Sequence, residues 1–315
     1  MFLGTALVAV ALEAIVGYPD AVYRAIGHPV TWLGRLIAWC DKSWNSERDP
    51  YETRQLRGVA AVVLLLAVSI GVGLTLTRLL PAVACGVLAS CLMAQRSLHE
   101  HVEAVASALE REGVEGGRRA VSMIVGRDTA QLDEAAVSRA AIESLAENYS
   151  DGVVAPLFWT AAGGLSGGIA YKAINTADSM IGHMSERHLA FGWAAAKLDD
   201  LLNLPASRLS LLWLMMAASF MPGASPQRAW QTAMRDARHH QSPNAGWPEA
   251  AMAGALGFRL AGPRVYDGDL TDDHWMGDGR SDLGAADIRA ALKLYRTACF
   301  VQVAVLAILF VLTLG

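Results

Sequence analysis

The sequence predicts an all-α fold, a polytopic α-helical integral membrane protein with interfacial and re-entrant helices. Three observations carry this. Of 315 residues, 53% are hydrophobic and only 18% charged, with a mean hydropathy of +0.31, against about 25% charged residues in a typical soluble domain. The apolar residues gather into long runs instead of spreading evenly. Strand-type alternation is nearly absent, while helical spacing recurs throughout.

The runs are taken in chain order. Met1 to Gly17 is apolar apart from Glu13; it has no basic leader and an acid where a signal peptide needs an apolar stretch, so it reads as an uncleaved span. Gly58 to Leu80 holds one charge, Arg78, and is long enough to cross ~30 Å of hydrocarbon. Ala82 to Leu98 is a further span candidate, with Arg96 able to snorkel to the interface. Residues 102 to 149 read as amphipathic helix punctuated by Gly113 to Gly117, with Asp128 or Thr129 capping the stretch Ala130 to Asn148. Val153 to Ala170 and Leu209 to Met221 are apolar and suit re-entrant or buried segments. The run Gly163 to Gly168 breaks the first of these in its middle. Residues 262 to 284 form a Gly/Asp-rich loop, and Ala298 to Gly315 is an uncharged apolar run. The expectation is one integral membrane domain, 1–315, with four spans and polar regions at 18–57, 100–150, 172–208 and 223–297.

The basic residues orient it. Region 18–57 carries six Lys or Arg, 100–150 carries five and 223–297 carries nine, whereas nothing basic follows Arg296. Positive-inside bias therefore places these three regions in the cytoplasm. The four cysteines, Cys40, Cys85, Cys91 and Cys299, show no metal spacing and read as small hydrophobes.

The densest polar cluster lies between Glu143 and Asn203. Glu143, Glu147 and Asp151 fall at i, i+4 and i+8, one face of a helix if it persists that far. On a soluble helix such acids are a solvated face; stacked beside an apolar segment they repel unless a cation sits among them, and Mg²⁺ fits. Lys172 is one of only four lysines beside 22 arginines, and it shares a face with Asn175 and Ser179, with Asp178 on a neighbouring face. It reads either as a catalytic cation or as a snorkelling lysine. Asp199 and Asp200 both reach Asn203 by one helical turn, which suits a hydrated divalent cation. His28, Arg35, Asn244 and Glu249 are weaker candidates. His239 and His240 are adjacent and point in different directions on a helix, so a metal pair there is disfavoured. No Walker-type phosphate loop, zincin motif or nucleophile elbow is present.

Read together, the blocks HPVTWLGRLI, AVSMIVGRDT, ESLAENYSDGVVAPLFW, YKAINTADSMIGH, FGWAAAKLDDLLNLPASRL and SPNAGWPEAAMAGALG resemble the CbiB/CobD family of cobalamin biosynthesis, over residues from about 1 to 300. The resemblance implies an adenosylcobinamide-phosphate synthase in the bacterial inner membrane, multi-pass, with its active site facing the cytoplasm. It implies ATP- and Mg²⁺-dependent amide formation between the corrinoid adenosylcobyric acid and (R)-1-amino-2-propanol or its O-phosphate. Its partners would be the lipid bilayer and these small molecules, with no nucleic acid, and with other membrane enzymes of the pathway or a second copy as possible associates. On this reading Lys172, Asn175 and Asp178 are catalytic. His28, Arg35, Arg127, Asn148, Ser179, Asn203, Asn244 and Glu249 bind substrate or nucleotide, and Glu143, Glu147, Asp151, Asp199 and Asp200 hold the metal. The chain departs from the family pattern at Glu13, at Gly17-Tyr18-Pro19, at His183 and in the turn Pro205 to Leu209. An ion-conducting transporter and a non-catalytic scaffold are the rival classes; the absence of an inverted repeat speaks against the first.

The orientation is testable. Cysteines introduced near Glu112 and Ser225 are expected to resist an impermeant thiol reagent in intact cells; strong labelling at either would invert the topology.

Overall fold

The computed structural model describes every residue except 1, 20, 22, 23, 26, 127, 263, 267, 268, 272, 273 and 315, with no side chains described between 263 and 273. The chain divides into two compact units, one of residues 1–94, 155–203 and 306–315, the other of residues 95–154 and 204–305.

The first unit is built from α1 (Leu3–Val16), α2 (Pro29–Trp44), α3 (Tyr51–Leu79), α4 (Ala82–Ser90), α7 (Ala155–Ile181) and the opening turns of α8 (Trp193–Ala218). Pro29 opens α2, where its missing N–H is no loss, and the His28 ring Nδ1 caps the helix by accepting from the Val30 amide at 3.2 Å. Small residues let these helices touch. A Cβ at Gly73 on α3 would collide with the Ser166 backbone of α7, and one at Gly86 on α4 with Val8 of α1. Such contact replaces the hydrophobic drive that is missing between helices in lipid. Around it Ile37, Cys40, Leu65, Ile174, Ile181 and Phe191 form a buried cluster. The loop before α8 is clamped to α2: Asp41 accepts from Arg187 at 2.9 Å and from Asn45 at 2.7 Å. Burial alone would raise the Asp41 pKa, but these donors and the Arg187 charge hold it below the usual carboxylate range.

The second unit contains α5 (Gln95–Val121), α6 (Glu134–Tyr149), a π turn (Ser150–Val154), the rest of α8, α9 (Pro226–Asp236), a 3₁₀ turn (Ala237–His239), α10 (Gly246–Leu256) and most of α11 (Ala285–Leu312). Gly113 lies inside α5 with φ +66, so the predicted punctuation is a true break in helical geometry. Two short antiparallel pairs, β1 (Leu260–Ala261) with β4 (Trp275–Met276) and β2 (Arg264–Tyr266) with β3 (Asp269–Thr271), give the Gly/Asp-rich region its order. Arg139 and Arg259 lie over the Trp275 ring at 5.7 and 5.6 Å.

Helices 51–79, 134–181, 193–218 and 285–312 are long and apolar enough to cross a membrane. The all-α membrane class stands, but the set of spans changes. Ala82 to Leu98 is not one helix: α4 ends at Ser90, whose hydroxyl turns back to the Val87 carbonyl at 2.7 Å, and α5 starts anew at Gln95. Nine residues rise only about 14 Å, less than half the hydrocarbon thickness. Arg96 accordingly pairs with Glu100 at 2.7 Å. Leu209 to Met221 falls largely within α8, itself long and apolar enough to span, and the expected turn Pro205 to Leu209 lies inside that helix. The cap of α6 is Asp133, whose carboxylate accepts from Ala136 N at 2.7 Å, whereas Asp128 caps only the turn at Ala130. The glycine break is where the run predicted it, with Gly164 at φ +63 inside α7.

The close approach of α3 to α7 carries a prediction. Gly73→Val should lower stability by about 1–3 kcal/mol through overpacking, read as a drop in the thermal midpoint in detergent. Gly71→Val, where no atom lies within 4 Å of a Cβ, should leave the midpoint nearly unchanged.

Candidate functional site

In the first unit, α7 and α8 bring four of the predicted residues, Lys172, Asn175, Asp199 and Asn203, into one hydrogen-bonded line. Lys172 Nζ donates to Asn175 Oδ1 at 3.1 Å, and Asn175 Nδ2 donates to Asp199 Oδ1 at 3.3 Å. Asn203 Nδ2 donates to Asp199 Oδ2 at 2.9 Å, and the Tyr171 hydroxyl donates to Asn203 Oδ1 at 2.8 Å. The order follows from helical spacing. Lys172 and Asn175 are one turn apart on α7, Asp199 and Asn203 one turn apart on α8, and Asn175 bridges the two. Asp199 and Asn203 are buried; each Asp199 oxygen accepts from an amide, the minimum for a carboxylate out of water.

Asp178 and Asp200 complete the cluster. Asp199 and Asp178 repel one another, as do Asp178 and Asp200, while Lys197 stands 3.9 Å from Asp200. Gly182 follows from this packing, because a Cβ there would strike Asp178 Oδ1. Asp178, Asp199 and Asp200 with their flanking amides are hard oxygen donors of the kind Mg²⁺ takes, but their three carboxylates do not converge on one point; among the described residues only Asp236, His239 and His274 bring three ligand atoms together. Lys172, Asn175, Asp178 and Asp200 are half-buried and Ser179 is exposed, its hydroxyl donating to the Asn175 carbonyl at 2.9 Å. His28 lies within the electrostatic reach of Lys172; burial first, and that ammonium second, push its pKa below the usual imidazole range, so it acts as a neutral acceptor. Arg35 is exposed and makes no ion pair among the described residues.

The second unit has its own cleft of roughly 320 Å³, lined by Ile124, Val125, Gly126, Glu143, Ser144, Glu147, Asn148, His240 and Glu249, with Ala140 at its wall. Glu143, Glu147 and Asn148 project from α6, and Glu249 from α10. His240 Nε2 stands 3.7 Å from Glu249 Oε1, and its Nδ1 accepts from Ser242 N at 2.9 Å. Asn148 Nδ2 donates to the Ser144 carbonyl at 2.9 Å, and Ser144 holds the Ile124 carbonyl at 2.9 Å. Glu143 Oε1 accepts from Ala261 N at 2.8 Å, so part of its capacity fixes the strand region. Asp151 does not continue the face of Glu143 and Glu147 in regular α geometry, because the chain enters the π turn at Ser150. Asn244 is buried, and its Oδ1 accepts from Ser207 Oγ at 3.0 Å and Arg208 Nη1 at 2.9 Å, with the Arg208 guanidinium 4.7 Å over the Trp247 ring. It positions α8 against the loop before α10. Arg127 lies outside the described residues.

Tyr171, Lys197 and Ser144 escaped the sequence reading, which weighed His240 only as half of a disfavoured metal pair with His239. Tyr171 sits beside Lys172 in the same block and could have been found there. His240 had a signal too: it stands two residues before the SPNAGWPE block. The two adjacent histidines do diverge, His239 stacking on His274 at 4.1 Å between ring centroids while His240 enters the cleft.

Ionisable residues joined across helices that are long and apolar enough to span mark a polytopic membrane protein with a polar working centre. The chain matches the CobD/Cbib protein family over residues 6–295 and belongs to it. It is 48% identical over 304 residues to the cobalamin biosynthesis protein CobD of Rhodobacter capsulatus, covering 94% of each chain. It is 49% identical over 306 residues to that of Rhizobium meliloti, covering 94% of this chain and 93% of the relative. The Brucella suis protein of the same name is 49% identical over 295 residues, covering 91% and 90%. No solved structure matches the chain.

The tie at Asn244 gives a direct test. Asn244→Ala removes the acceptor shared by Ser207 and Arg208 and should cost about 1–3 kcal/mol of stability. Asn244→Asp keeps an acceptor there and should retain most of the thermal midpoint; equal losses in both variants would refute the role.

Proposed function

We propose that this member of the CobD/Cbib family is an adenosylcobinamide-phosphate synthase, an ATP- and Mg²⁺-dependent amide ligase at the bacterial inner membrane with its active site on the cytoplasmic side. The substrates on this reading are adenosylcobyric acid and (R)-1-amino-2-propanol O-phosphate, or aminopropanol itself. The observation that carries the reading is the line Lys172–Asn175–Asp199–Asn203–Tyr171 with Asp178 and Asp200 beside it.

Amide formation from a free carboxylate needs that carboxylate activated. In the proposed reaction a propionate oxygen attacks the γ-phosphorus of ATP, ADP leaves, and the amine then displaces phosphate from the acyl carbon while losing a proton. Negative charge accumulates on phosphoryl oxygens in the first step. Lys172, held by Asn175, supplies a compact positive charge for it. Asp199 and Asp200 would hold Mg²⁺, which when bound would neutralise phosphate charge. Asn203 and Tyr171 fix Asp199 without themselves touching the reactants. Asp178, half-buried beside Asp200, is suited to accept the amine's proton. The second unit's cleft offers Glu147, Glu249, His240 and Asn148 for a small polar or cationic substrate. Arg35 and Arg127 remain as phosphate ligands in this proposal.

Purified protein in detergent should release ADP only when cobyric acid and the aminopropanol substrate are both present; release with either alone would overturn the ligase reading. Asp199→Asn and Asp200→Asn should each lower kcat/KM for ATP by at least about tenfold, or roughly 1.4 kcal/mol. Lys172→Arg separates a phosphate ligand from a snorkelling side chain. A planar guanidinium replaces an ammonium poorly at a compact site, so turnover should fall by roughly 100-fold with membrane insertion retained. Turnover near wild type in Lys172→Met would remove Lys172 from the reaction.

A further inference from the structure

A cleft of about 740 Å³ in the second unit lies between α5 and the polar start of α11; none of the groups assigned above lines it, and its walls include His99, Glu103, Arg289, Lys293, Arg296 and Phe300. The cations fall at 289, 293 and 296, followed by Phe300, spacings of four, three and four that keep all of them on one helical face. Their charges are not equivalent. Arg289 is neutralised, pairing with Glu103 at 3.1 Å and with Glu110 at 2.7 Å. Lys293 and Arg296 are exposed and have no ion pair among the described residues. His99, 3.5 Å from Glu103, is held below the usual imidazole range by burial, and Arg296 pushes it the same way against the pull of Glu103. It is therefore a neutral hydrogen-bonding group and adds no third charge.

We propose that this cleft binds the phosphate headgroup of an anionic phospholipid, with Lys293 and Arg296 as its cationic ligands. Charge complementarity selects an anion, since two cations with no ion pair among the described residues lie one turn apart on the same helical face while the acids at the other end are already engaged. The position selects a lipid over a soluble phosphate. α11 is long and apolar enough to cross a membrane, the cations occupy its polar beginning, and Phe300, one turn further along, is 74% exposed. A headgroup at Arg296 thus has an apolar side chain beside it along the direction its acyl chains would take. Basic clusters next to a span are the recurring way in which proteins recognise anionic headgroups.

The test uses the full chain in nanodiscs. With phosphatidylglycerol and phosphatidylcholine mixed in equal amounts, native mass spectrometry should find phosphatidylglycerol retained over phosphatidylcholine by roughly tenfold or more. The K293Q/R296Q variant should lose that preference while keeping its thermal midpoint in phosphatidylcholine alone. If the double variant does not purify, R296Q alone should show a smaller loss in the same direction. Equal retention of both lipids by the wild type, or an unchanged preference in the variants, overturns the proposal. A separate arm titrates inorganic phosphate and ATP onto protein in phosphatidylcholine nanodiscs. Binding there that disappears in K293Q/R296Q assigns the cleft to a soluble phosphate and also overturns it. Because neither cation belongs to the proposed ligase centre, a failure here leaves ADP release unchanged, and a failure of the ligase reading leaves lipid retention unchanged.

Discussion

Asp199 is a buried carboxylate within a helix apolar enough to span a membrane, and the arrangement of α7 and α8 around it follows from that one requirement. A charge or a polar hydrogen in such a place must find its partners inside the protein. Asp199 finds two carboxamides, Asn175 from the neighbouring helix and Asn203 from its own, and each of these is in turn held, by Lys172 and by Tyr171. The line therefore locks the rotation of both helices. Shifting either by one residue would move a carboxamide some 100° away and leave Asp199 with half its partners.

The helices reach that register because their backbones can come close. Gly73 lets α3 press against Ser166 of α7, and Gly182 leaves the space that Asp178 occupies. The glycines that look like helix breakers in the sequence thus serve two purposes. At Gly164 a left-handed φ does interrupt α7, but at Gly73 the gain is contact and the helix runs on. In the second unit, a carboxamide and an aromatic ring play the corresponding part. Asn244 fastens Ser207 and Arg208, and Trp247 lies under the guanidinium, so the loop leading to α10 presents Glu249 to its cleft.

Charge is distributed with similar economy. Several cations outside the proposed centre are paired: Arg187 with Asp41, Arg235 with Asp236 and Asp278, Arg280 with Asp287, Arg289 with two glutamates. Arg35, Lys293 and Arg296 have no such partner among the described residues, and the last two lie together on one helix face.

The amino-acid sequence by itself determined the helical membrane class, the break at Gly164 and the membership of Lys172, Asn175, Asp178, Asp199 and Asn203 in one polar group. These are legible because hydropathy, glycine placement and i, i+3/i+4 spacing are local properties of a helix. It misjudged Ala82 to Leu98, since apolar length does not reveal that a serine hydroxyl and a tight turn end the helix after nine residues. It put Asp151 on the face of Glu143 and Glu147 only if the helix persisted, and a π turn, which leaves no mark in side-chain composition, intervenes at Ser150. Tertiary structure alone decided that Asn175 bridges two helices, that Tyr171 supports Asn203, that His240 meets Glu249 and that Asn244 joins Ser207 and Arg208. Each of those is a pairing between residues well beyond one helical turn apart, set by how helices pack, which no local periodicity encodes.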